Sequence, residues 1–80
     1  MIKRITPSKI IAQFEDKTIT IEGEAIPPGD GSPNYIIYSN SISGWDPPHH
    51  GMEFTNADKD LVVAGLKRDL DQRNISFVIE

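Results

Sequence analysis

The chain predicts an α+β domain: an antiparallel-rich sheet of four or five strands, one amphipathic helix packed on one face, and a final strand after the helix. Three observations carry this. Between Thr18 and Glu24, polar Thr and Glu alternate with Ile19 and Ile21, the period-2 pattern of a half-buried strand. Leu61, Val62, Gly65, Leu66 and Leu70 fall at helical spacing, with Lys59, Asp60, Lys67, Asp71 and Arg73 on the remaining surface. Beyond them, Ile75-Ser76-Phe77-Val78-Ile79 puts Ile75, Phe77 and Ile79 on one face of a strand.

Taken in order, Lys9 to Phe14 is β-prone, and Glu15-Asp16-Lys17 reads as a tight hairpin turn into the strand that starts near Thr18. On that second strand Thr18, Thr20, Glu22 and Glu24 share a face that must look at water or at a partner if Ile19 and Ile21 point to the helix. Pro27 to Asn34 is dense in residues that break both helix and strand, so it is a loop between strands. A third strand runs from Tyr35 to Tyr38. Ser39-Asn40-Ser41 then turns or bulges before a short fourth segment, Ile42 to Trp45, that stops at Pro47-Pro48.

Thr55 caps the helix, and the acidic Asp58 at its third position faces the positive helix end. Gly65 inside the helix costs about 1 kcal/mol against alanine, which implies close approach to the sheet at that turn. Asn74 ends the helix in a left-handed conformation. A helix of roughly 18 residues spans about 27 Å, enough to cover one face of such a sheet. The other face stays poorly covered, and a final strand at an edge could also pair two copies into a homodimer.

The 80 residues form a single domain, 1–80, able to bury only about 60% of the unfolded chain's surface. With 38% hydrophobic and 25% charged residues the chain is composed like a globular domain rather than a disordered one. The absence of cysteine excludes a disulfide scaffold and a thiolate zinc site and suits a reducing compartment. No apolar run approaches the roughly 20 residues of a membrane span, so the chain reads as cytoplasmic, with no membrane partner. A formal charge of −4 disfavours a nucleic-acid backbone and favours a basic or neutral protein partner.

The segment from Tyr35 to Gly51 holds the only tryptophan, both tyrosines and both histidines. It places Trp45, Asp46, His49 and His50 on a loop stiffened by two prolines, and loops on a rigid scaffold are where function concentrates. Trp45 fits either a core position or an interface anchor. Glu22 and Glu24, two apart on a strand, lie roughly 6.5 to 7 Å from each other and could serve acid–base chemistry, but no sugar-binding aromatics flank them. Adjacent His49 and His50 seldom converge on one ion, and no third ligand follows at metal-site spacing, so no metal or other cofactor is expected. Ser39, Ser41 and Ser43 lack the glycine elbow of a nucleophilic serine and suit local backbone hydrogen bonds. Gly29-Asp30-Gly31 lacks the lysine and hydroxyl residue of a phosphate loop and reads as a turn.

The early Ile-Thr-Pro-Ser (Ile5 to Ser8), the Glu-Gly-Glu-Ala of Glu22 to Ala25, and the Tyr-Ile-Ile-Tyr-Ser-Asn-Ser-Ile of Tyr35 to Ile42 followed by Trp45 resemble a small immunity protein family of bacterial polymorphic toxin systems. The similarity runs from about Ile5 into the helix. It implies a cytoplasmic antidote that binds a cognate toxin domain and has no catalysis of its own. The residues expected to meet that partner are Glu22, Glu24, Tyr35, Trp45, Asp46, His49 and His50. Two other functions remain open at this point: a structural or adaptor domain of a larger assembly, and a small hydrolase using Glu22 and Glu24 or His49 and His50.

Overall fold

The computed structural model describes residues 1–29 and 31–80. One five-stranded sheet runs in chain order: β1 (Ile2–Ile5), β2 (Lys9–Phe14), β3 (Lys17–Ala25), β4 (Tyr35–Ile37) and β5 (Phe77–Ile79). The first three pairings are antiparallel and β4 pairs with β5 in parallel. Parallel neighbours need a crossover, and the chain supplies it with helix α1 (Asn56–Gln72). The predicted α+β architecture, with one helix and a last strand after it, is the one observed.

Alternation decides which face is buried. Ile10 and Ala12 of β2, Ile19 and Ile21 of β3 and Ile37 of β4 are fully buried, as are Val62, Leu66 and Leu70 of α1. Glu22 and Glu24 are consequently exposed, as expected of that strand. Leu61 departs from the predicted stripe and is 56% exposed. One residue before Val62, it is turned about 100° away from the line through Val62, Leu66 and Leu70, and so faces outward.

The helix ends follow the sequence closely. The Thr55 hydroxyl accepts from the Asp58 N–H at 3.1 Å, and the Asp58 carboxylate accepts from the Thr55 N–H at 2.9 Å, a reciprocal capping box. At the other end Asn74 has φ +57°, the Ile75 N–H donates to the Leu70 carbonyl and the Asn74 N–H to that of Asp71. This is the Schellman arrangement, which satisfies two of the last helical carbonyls. Gly65 earns its place by contact: a Cβ there would lie 2.7 Å from Cε2 of Phe14, whose ring rests on the helix. Gly23 of β3 likewise leaves room for the Tyr35 ring.

Two expectations need correction, and one strand is additional to them. Ile2–Ile5 is a strand outside the segments read from the sequence, and a register shift between Ile2 and Arg4 interrupts its pairing with β2. Its outer edge is closed by the helix: the Ile2 N–H donates to Asp69 Oδ2 at 2.7 Å, and Arg73 Nη2 donates to the Ile2 carbonyl at 3.1 Å. Ile42 to Trp45 is not a strand. A 3-10 turn at Ser39–Ser41 redirects the chain, and the segment from Tyr38 to Asp46 touches the part of β3 that β4 leaves unpaired. There the Tyr38 N–H donates to the Glu22 carbonyl at 3.0 Å, the Ser41 hydroxyl accepts from the Glu22 N–H at 2.9 Å, and the Asp46 N–H donates to the Thr18 carbonyl at 2.8 Å. The Ser41 hydroxyl and a loop amide thus replace a regular ladder there. The last strand is shorter than Ile75 to Ile79, but Ile75, Phe77 and Ile79 still pack against the core while Val78 is exposed.

The hairpin between β2 and β3 turns at Glu15 and Asp16, with Phe14 opposite Lys17. Glu15 takes φ +59°, a left-handed backbone that costs a non-glycine residue roughly 1–2 kcal/mol. The turn expected at Gly29-Asp30-Gly31 has its middle residue outside the described residues.

Candidate functional site

The loop that leaves Trp45 is pinned to the β2–β3 hairpin at several points. Trp45 is buried between Phe14, with ring centroids 6.1 Å apart, and Phe54, at 5.2 Å and edge-on. Lys17 Nζ stands 5.4 Å from the indole centroid, a cation over an aromatic face. Asp46 Oδ2 accepts from the Thr20 hydroxyl at 2.9 Å and the Thr18 hydroxyl at 3.3 Å. Beyond the cis Pro47–Pro48 peptide, the His49 N–H donates to the Asp46 carbonyl, and His49 Nε2 lies 3.5 Å from Asp16 Oδ2. The loop, the hairpin tip and the helix start therefore share one end of the molecule.

The residues singled out in the sequence separate into groups. Trp45, at 4% exposure, packs as a core residue. Tyr35, at 3%, is buried as well; its hydroxyl donates to the Thr6 carbonyl at 3.0 Å, and burial pushes the phenol's pKa up. Both rings sit mostly beneath the surface, and Trp45 reaches it only where it lines a groove beside the hairpin. Asp46 and His49 are half-buried and fixed to the hairpin, and His50 is exposed. Glu22 and Glu24 stand on the sheet face away from the helix.

Ser41 spends its hydroxyl on backbone, donating to the Tyr38 carbonyl at 2.6 Å. The cleft beside it, lined by Lys9, Thr20, Glu22, Asn40, Ser41 and Ser43, contains no histidine. Among the described residues no set of three or more histidine or acidic side chains is placed to hold a metal ion. No described helix is long and apolar enough to cross a membrane.

The residues that the sequence reading passed over lie at the hairpin. Two grooves flank it, one of 440 Å³ reaching Met1, Gly65 and Arg68, the other of 340 Å³ reaching Lys17, Trp45 and Asp58; both are lined by Phe14, Glu15 and Leu61. A signal for this surface was present in the charge distribution. Glu15, Asp16, Asp46, Glu53, Asp58 and Asp60 face only Lys17 and Lys59 within 15–17 and 46–60, while the remaining acids and bases of the chain cancel, so the whole formal charge of −4 belongs to these two segments.

A family model described as immunity protein 74 matches residues 2–80, and the chain belongs to that family. A search of curated proteins and one of solved structures each returned no match.

Proposed function

We propose that this member of the immunity protein 74 family is a bacterial cytoplasmic antidote that binds a cognate toxin domain and inhibits it by occlusion, without catalysis of its own. The family match over residues 2–80 carries the reading. The geometry supports it in two ways. Buried Trp45 and the Asp46 hydrogen bonds to Thr18 and Thr20 hold the loop as a preformed surface, and preorganisation lowers the ordering cost of binding. On the sheet face, Glu22 and Glu24 are exposed carboxylates, and charges of one sign steer a partner of the other sign into place and raise its association rate.

The partner surface in this reading consists of Glu22, Glu24, Asp46, His49 and His50, with Tyr35 and Trp45 supporting it from below. Its test is co-expression with the toxin domain encoded by the neighbouring reading frame. The wild-type chain rescues growth, and Glu22→Lys/Glu24→Lys and His49→Ala/His50→Ala variants that remain folded by circular dichroism bind more slowly or protect less. If the wild type neither binds nor neutralises that domain, the antidote reading fails; equal protection by all variants would remove only these residues from the surface.

A further inference from the structure

Resting on the antidote reading, we propose that the groove between the hairpin tip and the start of α1 receives a lysine or arginine side chain of the toxin, its aliphatic stem on the apolar floor and its charged head against Glu15. The floor and walls are Phe14, Leu61 and Trp45, with Leu61 56% exposed. Glu15 and Asp58 stand on the rim. A long basic side chain combines an apolar stem with a cationic head, which matches an apolar floor beneath carboxylates better than a wholly apolar or wholly polar group would.

Charge complementarity selects this occupant. The two segments that build the end of the molecule around the groove hold all of the chain's net charge of −4. Its basic residue on the groove wall, Lys17, already stands over the Trp45 ring and 3.7 Å from Asp16. Asp58 is committed to the helix cap through Thr55. Among the described residues the Glu15 carboxylate has no ion-pair or hydrogen-bond partner, and it lines both grooves. It is also held at φ +59°, where glycine would sit without strain, so this position sacrifices stability for a carboxylate at the rim. A basic partner meeting an acidic surface of this kind gains both association rate and register.

The experiment titrates the toxin domain of the neighbouring reading frame with the wild-type chain and with Glu15→Gln, Glu15→Gly and Leu61→Gln variants. Asp71→Asn removes a charge elsewhere on the helix and serves as control. The expected result is that each groove variant weakens binding ~10-fold or more while staying folded, and Asp71→Asn stays within about twofold. Glu15→Gly should in addition melt at a higher temperature than wild type, so that stability and affinity move in opposite directions. Groove variants that bind within about twofold of wild type overturn the proposal. If Glu22→Lys/Glu24→Lys abolishes binding while the groove variants do not, the partner sits on the sheet face and only the groove assignment falls. If the wild type forms no complex, the antidote reading itself falls and takes this proposal with it.

Discussion

Gly65→Ala sets two effects of known size against each other. In a helix interior alanine is favoured over glycine by about 1 kcal/mol. The added methyl, however, would stand 2.7 Å from Cε2 and 3.1 Å from Cζ of Phe14, well inside carbon–carbon contact distance. The ring must retreat, and behind it lies Trp45, 6.1 Å away between centroids. Overpacking of this kind typically costs about 1–3 kcal/mol, so a net loss of about 1 kcal/mol is expected in the wild-type background. With Phe14→Ala already present the obstacle is gone, and Gly65→Ala should then stabilise by about 1 kcal/mol. The coupling of about 2 kcal/mol exceeds the ~0.5 kcal/mol within which independent sites add. Urea melts of the four proteins measure it, and the near-ultraviolet dichroism of Trp45 reports the ring's displacement. A Gly65→Ala single variant that gains about 1 kcal/mol would show that Phe14 does not press on the helix and would refute the reasoning.

Leu66→Ala should lose about 2–5 kcal/mol in the same melts, the usual cost of truncating a fully buried leucine, and a loss below about 0.5 kcal/mol would put the stripe on the surface. The Ile2 N–H, followed by the Arg73 guanidinium, holds the Asp69 carboxyl below its usual pKa. A depressed folded-state pKa stabilises above the unfolded value, so this contribution is complete at neutral pH and disappears as pH falls below about 4. Asp69→Asn should therefore flatten the acid limb of a stability–pH curve, and a curve of unchanged slope would show that the β1 edge is not held by that charge.

Much of the fold was legible because its signals are local. The cap at Thr55, the left-handed Asn74, the turn after Phe14 and the alternation about Ile19 and Ile21 are set by neighbours within a few residues, and each stands where the sequence placed it. What failed depended on distant partners. β1 exists because β2 pairs with it and Asp69 and Arg73 close its edge, neither of which leaves a mark on Ile2-Lys3-Arg4-Ile5. Ile42 to Trp45 has strand-like composition, yet only three β3 residues pair with β4, and the chain covers the rest of that edge as an irregular segment.

The site was legible in part for the same reason. Composition located the Trp45 to His50 loop, and the structure adds what holds it, namely Thr18, Thr20, Phe14 and Phe54. A lone tryptophan reads as core or as contact until its neighbours are known; here two phenylalanines pack against it. In the sequence Glu15 reads as a turn residue because a turn explains it locally. Its positive φ and its place on both grooves are properties of three dimensions.

The most direct test of the central claim is amide hydrogen exchange on the chain alone and in complex with the toxin domain of the neighbouring frame. The account predicts a one-to-one complex in which exchange slows at the hairpin tip, around Glu22 and Glu24 of β3, in the loop from Asp46 to Phe54 and in the first turns of α1. Failure to form a complex, or slowing confined to the edge strands β1 and β5, would contradict it.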